Sequence, residues 1–234
     1  MTPARRIRGS DGRDKIQLRL DLGVLQMETT GRPDGQRPNG AESLLDYYGK
    51  QLARYKRRFG TEEGFGLDEQ ACQLLRAEGV MYYHRYVAEF ILEDFEAVER
   101  DSLRNLRLFD FCKRYAREES DRRQMEQFRP YALMMITRAR AQIALGADHH
   151  REALRIVRSG VRHIEEFYRG LGQEAMGDGS AEIAILAAMT REIESRIPVD
   201  PIQQLRRDLA KAVQEERYED AAAIRDRLRQ ATGE

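Results

Sequence analysis

The chain has 234 residues, 41% hydrophobic and 34% charged, which is enough for one or two globular domains whose helices expose a wide polar face. Its 40 basic and 40 acidic residues balance, so no overall field attracts nucleic acid. No stretch approaches the roughly 20 apolar residues that span a bilayer, and the N-terminus lacks the apolar core of a secretory signal, so we expect a cytoplasmic protein without a membrane partner.

Residues 1–14 are expected to form a disordered basic tail. Arg5, Arg6, Arg8 and Arg13 are its arginines. Such a tail can contact phosphate, but arginines among glycine and proline more often serve solubility. Nucleic acid is therefore a less favoured partner.

Residues 15–40 are expected to form an extended segment with turns. Ile16, Leu18 and Leu20 alternate with polar residues, which favours a strand with one apolar face. A second strand follows near residues 24–28, and glycine and proline predict turns between Gly31 and Gly40. An isolated hairpin is marginal in water, so it must pack on helices or pair with a second subunit, which makes a homodimer one alternative.

Residues 41–172 show helical periodicity and form the predicted body. Asp68 is a candidate cap for one helix, Glu93–Asp94 form a tight connection, and Asp148 is a candidate cap for a later helix. Pro130 either kinks a helix or begins a new one. Residues 173–200 are predicted to be a loop and a linking helix from Ser180 to Ile197.

Two passages of the body share a helix, a short acidic turn and a small residue early in the next helix. They are Leu92–Val98 and the stretch from Leu145 through Leu154. These passages resemble tetratricopeptide-type helical hairpins, which implies stacked hairpins with a concave face for a partner peptide or helix. Any helical bundle with alanine contacts could produce the same pattern.

Residues 201–231 form a self-contained pair of amphipathic helices by their periodicity. Asp200 can cap the first helix and Pro201 suits its first turn. A polar run, 214–217, separates two apolar stripes, and alanines at the seam allow the helix axes to approach closely, with Tyr218 and the leucines filling the remaining space.

The hairpin sequence Leu209-x-x-Ala212-Val213, followed by Tyr218-Glu219-x-Ala221-Ala222-x-Ile224-Arg225-Asp226-x-Leu228, resembles the UVR motif of UvrB and UvrC. Three positions depart from the usual pattern, because Val213 replaces a second alanine, Tyr218 a phenylalanine and Ala231 a final leucine. The resemblance implies a hairpin that pairs with another such hairpin. The residues expected to bind a partner are Leu205, Leu209, Ala212, Tyr218, Glu219, Ala221, Ala222, Ile224, Arg225, Asp226 and Leu228.

Size gives an independent reason to expect association. A hairpin of about thirty residues buries little apolar surface alone, because domains below roughly 40 residues usually need a metal, disulfides or a partner. The alternative is that the hairpin folds back on its own scaffold. UVR modules also occur in regulators of bacterial proteases and of a protein-arginine kinase, so the motif alone does not imply DNA repair.

Residue patterns for catalysis are weak, and no enzyme activity, catalytic residue, cofactor or metal is expected. The sequence has no GxxxxGK[ST] loop, so the helicase chemistry of UvrB is not expected, and no CxxC pair. Cys72 and Cys112 are expected to be buried thiols. His149 and His150 are expected to be solvated turn residues. Tyr82, Tyr83 and Tyr86 could line a ligand pocket, although helical spacing favours core packing.

The sequence thus predicts a mainly α fold of stacked helical hairpins, with a short N-terminal β segment and a C-terminal UVR-like hairpin. The predicted function is non-enzymatic protein–protein interaction, in which the hairpin docks on a partner or on itself. The alternative is an accessory factor of nucleotide excision repair that recruits a UvrB- or UvrC-like partner. An enzyme with an unrecognised helical active site is a third possibility.

Overall fold

The computed structural model describes residues 3–197 and 201–232, and most of these residues are helical. The mainly α fold with a short N-terminal β segment is confirmed. The chain divides into two compact units, residues 1–191 and residues 192–234. Within the described part of the chain, no helix is long and apolar enough to cross a membrane.

The N-terminal segment forms a three-stranded antiparallel sheet in the order β1-β2-β3. The strands are β1 (Ala4–Arg8), β2 (Asp14–Leu20) and β3 (Gly23–Glu28). The prediction of disorder over residues 1–14 is therefore wrong. Ala4 is buried and pairs with Leu18, while the Arg5 guanidinium donates to the side chain of Gln17 and Arg6 pairs with Asp94. These contacts give the arginines partners that sequence periodicity could not reveal.

The sheet packs on a helix, α2 (Glu69–Ile91), through part of the face that alternation predicted, because Leu20 of that face is 42% exposed. Ile16, Leu18 and Met27 form one buried cluster with Ala88 of α2. The period of two places these side chains on the same face, and burial of that face stabilises the sheet. The strands are thus stabilised by packing on a helix, while pairing with a second subunit stays a prediction.

The helices before the C-terminal hairpin follow the predicted order, with boundaries that differ by a few residues. The body prediction placed the first helix from Ala41, but it begins at Leu44, where the side chain of Ser43 caps it. Asp68 caps α2 as predicted, and Pro130 lies in the first turn of α5, so it begins a helix. The helices are α1 (Leu44–Phe59), α2 (Glu69–Ile91), α3 (Phe95–Tyr115), α4 (Glu119–Glu126), α5 (Arg129–Gly146), α6 (His150–Gly170), α7 (Glu174–Asp178) and α8 (Ala181–Arg196).

Cys72 and Cys112 lie in the apolar core between α2 and α3, together with Leu75 and Leu108. Both are free, buried thiols, as predicted. Burial raises the pKa of Cys72 to about 11 and the pKa of Cys112 to about 12. The thiolate is the reactive form of cysteine, so both residues are suited to packing rather than to nucleophilic chemistry.

The α5–α6 connection differs from the prediction at Asp148. This residue has a left-handed φ of 59° and lies between the helices, whereas the N-cap of α6 is His149, whose side chain makes no capping hydrogen bond. Asp148 therefore ends α5 by reversing the chain and does not cap α6. Short polar residues such as aspartate tolerate this backbone region better than most.

Buried charged side chains join the start of α1 to α2 and α3. The carboxylate of Glu78 accepts hydrogen bonds from the backbone N–H groups of Leu44 (2.7 Å) and Leu45 (3.2 Å), and it pairs with Arg104. The start of α1 is thus held by a side chain of α2. Helical periodicity does not distinguish such a buried glutamate from a solvated one.

Candidate partner-binding site

The C-terminal hairpin consists of α9 (Pro201–Gln214) and α10 (Tyr218–Thr232), so the two predicted helices and the break between them are confirmed. The proposed cap, Asp200, lies outside the described residues. Helix α9 is strongly amphipathic because its apolar residues recur at intervals of three and four.

A compact turn closes the hairpin. The N–H of Arg217 donates to the carbonyl of Ala212 (2.8 Å), and the N–H of Glu216 donates to the carbonyl of Val213 (3.1 Å). Glu216 has a φ of 57°, in the left-handed region. This pair of bonds around a left-handed residue is the Schellman arrangement, which satisfies the last carbonyl groups of a helix. The polar run 214–217 thus turns the chain sharply and returns α10 alongside α9.

Two alanines form the seam between the helices. Ala212 of α9 and Ala221 of α10 are both buried, at 0% and 7% exposure. Their small side chains allow the helix axes to approach closely, as the sequence predicted. Flanking apolar residues are only half-buried, namely Leu205, Leu209, Ala222, Ile224 and Leu228.

Tyr218 does not fill the seam, contrary to the prediction. It is the first residue of α10 and is 68% exposed, and Val213 near the end of α9 is 52% exposed. A residue in the first turn beside the chain reversal is not covered by the opposite helix. The hairpin therefore presents an aromatic ring and a valine at its closed end.

Charged groups surround the apolar stripe. Arg217 pairs with Glu215 (2.8 Å) and with Asp220, and Arg225 lies 3.4 Å from Asp226. Glu219, Arg225 and Asp226, which were expected to bind a partner, are all exposed. A shallow cavity of about 460 Å³ runs along the hairpin, and it is lined by Gln204, Leu205, Asp208, Lys211, Arg217, Ile224 and Arg227.

The other candidate residues, the tyrosines of α2 and the histidines of the α5–α6 turn, lie in different environments. Tyr82 is a core residue, with the guanidinium carbon of Arg104 4.0 Å from its ring centre, whereas Tyr83 and Tyr86 line a cavity. His150 contacts the carbonyl of Asp148 at an exposed turn. Among residues 3–197 and 201–232, no three His, Cys, Asp or Glu side chains are grouped to hold a metal.

The family model of the UvrB/uvrC motif, UVR, matches residues 200–231. No curated protein and no solved structure matches the chain. The match covers the hairpin, including its alanine seam and its turn, and lies within the second unit. The C-terminal hairpin is therefore a UVR motif.

Proposed function

We propose that this chain is a non-enzymatic cytoplasmic interaction protein that docks on a partner protein through its UVR hairpin. The observation that carries the proposal is the match of residues 200–231 to a motif of UvrB and UvrC, on a hairpin with exposed apolar side chains. UVR hairpins pair with other hairpins, so the partner is expected to present helices of its own.

The exposed surface of the hairpin supports this proposal. Tyr218 and Val213 lie at one end, and the half-buried leucines Leu205 and Leu209 continue the apolar surface along α9. Aromatic residues are enriched among the side chains that contribute most to binding, because a large rigid ring buries much area for little lost entropy. Salt-bridged charges such as Arg217 and Asp220 would then form a polar rim.

The charges of the body support a structural role rather than catalysis. Asp101 and Glu78 are buried, and each carboxylate is paired with an arginine of the same helical layer, Arg85 and Arg104. A catalytic carboxylate must reach a substrate, whereas these groups hold helices and backbone together.

The alternative, an accessory factor of nucleotide excision repair, would recruit a UvrB- or UvrC-like partner through the same hairpin. Contact with DNA through the N-terminal arginines is disfavoured because Arg5, Arg6, Arg8 and Arg13 all contact neighbouring side chains. This alternative differs from the main proposal only in which protein the hairpin binds.

Partner capture tests the proposal through matched substitutions of exposed residues. Tyr218→Ser and Val213→Ser should each weaken binding of the captured partner by about tenfold or more, since they remove apolar contact area at the closed end of the hairpin. A chain that ends at Val199 should capture nothing specific. Binding is measured by calorimetry with the purified partner after its identification by mass spectrometry.

Val24→Ser is the matched control, because Val24 is 57% exposed, close to the exposure of Val213, but lies on strand β3. It should leave affinity unchanged. An equal loss of affinity in Val213→Ser and Val24→Ser would contradict docking through the hairpin. Full capture of the partner by the chain that ends at Val199 would contradict it as well. A partner that is itself a repair nuclease or helicase subunit would favour the alternative function.

A further inference from the structure

The first unit contains a cavity of about 470 Å³, which is lined by residues of that unit. Its walls come from α2, α3, α4 and α5, and Glu182 at the start of α8 adds one carboxylate. Cavities that bind small molecules typically measure about 300–1,000 Å³ and are mostly apolar with a few polar groups. We call this space the aromatic cavity.

Aromatic rings dominate the lining. The ring of Tyr83 meets Tyr86 edge to face at a centroid distance of 5.5 Å and lies 5.6 Å from Tyr131. Phe109 and Phe128 also line the space. Tyr83 and Phe128 remain partly exposed at 38% and 46%, so apolar ring surface is left in contact with water. A flat molecule that stacks on these rings would cover that surface.

Gly79 adds to the space of the aromatic cavity. It lies inside helix α2, where glycine is less favourable than alanine by about 1 kcal/mol. A methyl group at this position would have ordinary contacts, 3.8 Å from Leu108 and from Met125, so packing does not require glycine. Gly160 differs, because a methyl group there would collide with Thr137. The missing side chain at Gly79 therefore leaves room on the cavity wall.

Arg76 and Asn105, two polar residues of the lining, form hydrogen bonds with other protein groups. Arg76 directs its terminal nitrogens to Asp121 (3.3 Å) and Gln124, but its Nε is buried and has no acceptor among the described residues. The amide of Asn105 donates to the carbonyl of Gly79 at 2.9 Å. Burial lowers the pKa of His84, which keeps its ring neutral near pH 7. The positive charge of Arg76 at the cavity wall is thus balanced by Asp121, and aromatic rings make up most of the remaining lining.

We propose that the aromatic cavity binds one planar aromatic small molecule. The rings of Tyr83, Tyr86 and Tyr131 supply the stacking surface. This site goes beyond the proposed docking function, because its residues belong to the first unit and its ligand is not a protein.

The test uses 8-anilinonaphthalene-1-sulfonate, a fluorescent aromatic probe, and the full chain. We expect one binding site per chain. Gly79→Ala should weaken probe binding by about tenfold, because its methyl group enters the space that the probe fills. The same substitution should raise the melting temperature by about 2 °C, since alanine favours the helix and restricts the unfolded chain. Weaker binding in a more stable protein cannot come from misfolding.

Gly49→Ala is the matched control, because Gly49 also lies inside a helix and has no atoms within 4 Å of an added methyl group. It should leave probe affinity unchanged. Tyr83→Ala, a second variant at the cavity, should weaken binding as Gly79→Ala does. Binding of several weakly held probes, or unchanged affinity in Gly79→Ala, would overturn the proposal. Displacement of the probe only by an aromatic peptide, and not by small planar aromatic molecules, would also overturn it in favour of a peptide site.

Discussion

Arg85 is almost completely buried, and its guanidinium joins three parts of the chain. It forms a two-point pair with Asp101 of α3 (2.5 and 3.0 Å) and donates to the carbonyls of Glu28 (3.0 Å) and Gly31 (2.9 Å). The planar fork of arginine suits such bidentate pairing. Burying an unpaired charge would be costly, but these partners compensate the charge of Arg85. The same contacts hold the end of β3 on the helices.

Glu89 lies in the same layer of charges, and its environment favours the protonated form. Burial is the main cause, and the neighbouring carboxylate of Asp101 adds to it, so that the pKa of Glu89 rises from 4.5 to about 8. Its Oε1 lies 2.8 Å from Arg100, but Oε2 is buried without a hydrogen-bond partner among the described residues. Arg100 and Arg85 lie nearby and lower the pKa of Glu89, but they offset only part of the rise that desolvation causes.

This shift predicts a pH dependence of stability. Between pH 4.5 and about 8, the unfolded state releases the Glu89 proton while the folded state keeps it. The unfolded state then binds fewer protons, so the free energy of unfolding falls as pH rises, by up to about 1.4 kcal/mol per pH unit. Glu89→Gln should flatten this part of the curve, measured by urea unfolding across the window.

The difference between the stability curves of the original chain and of Glu89→Gln gives the contribution of Glu89, separate from that of other titrating groups. Glu96→Gln, which changes an exposed glutamate of α3, should retain the slope of the original chain. A Glu89→Gln curve that runs parallel to the original from pH 4.5 to 8 would show that Glu89 is ionised in the folded state.

At the scale of elements, three helical hairpins share one turn. The N–H groups of Asp94, His149 and Arg217 donate to the carbonyls of Glu89, Ala144 and Ala212 at 3.0, 2.9 and 2.8 Å. In each case the preceding residue is acidic and has a left-handed φ of 57–59°, namely Glu93, Asp148 and Glu216. The α2–α3, α5–α6 and α9–α10 hairpins therefore reverse the chain in the same way.

The α5–α6 and α9–α10 hairpins also share their alanine contacts. Ala144 and Ala153 in the first pair, and Ala212 and Ala221 in the second, occupy equivalent positions on either side of the turn, and all are buried. Small side chains on both sides of a turn allow the two helices to leave it in close contact. The two passages of the body, at α2–α3 and α5–α6, share the left-handed turn but not the alanine pair, which explains why they resemble repeated hairpins only loosely, while the similarity to tetratricopeptide repeats stays a prediction.

The shared turn predicts a stabilising substitution. Glycine is the usual residue in the left-handed position, where a side chain costs roughly 1 kcal/mol. Glu93→Gly should therefore raise the free energy of unfolding by up to about 1 kcal/mol, measured by urea unfolding. Glu96→Gly, in the first turn of α3, changes the same charge at an exposed site but should lower stability, because glycine is unfavourable in a helix. Equal effects of both variants would show that the left-handed backbone carries no strain.

At the scale of the whole molecule, charge is balanced and largely paired. The chain carries 40 basic and 40 acidic residues, and two of the three arginines of the first strand pair with carboxylates, Arg6 with Asp94 and Arg8 with Asp14, while Arg5 donates to Gln17. Attraction to DNA requires basic groups that replace counterions on phosphate. The carboxylates beside Arg6 and Arg8 therefore offset much of the positive charge along β1.

We accordingly expect no salt-dependent binding to a short labelled DNA duplex at low ionic strength, measured by fluorescence anisotropy. Asp14→Ala with Asp94→Ala, which frees Arg8 and Arg6, should increase any residual binding. Steep salt dependence in the original chain would favour a repair factor that touches DNA directly.

Local periodicity predicted the helices, the β2–β3 alternation and the UVR hairpin, because those patterns depend on neighbours three or four residues away, or two in a strand. It did not predict β1, since Ala4–Arg8 is stabilised by pairing with β2 and by contacts such as Arg6 with Asp94. It also assigned Glu78, Arg85 and Asp101 to no particular role, because charged residues are usually exposed.

By itself, the sequence determined the mainly helical class and the motif at the C-terminus, since amphipathic spacing and the alanine pattern depend only on residues close together in the chain. Only the tertiary structure decided which charges are buried, which tyrosines line a cavity and which apolar residues of the hairpin face solvent. These properties depend on residues far apart in the chain, as with Arg85 and Glu28, and on the close approach that brings them together. Burial is a property of the assembled fold, and the chemistry of each site follows from it.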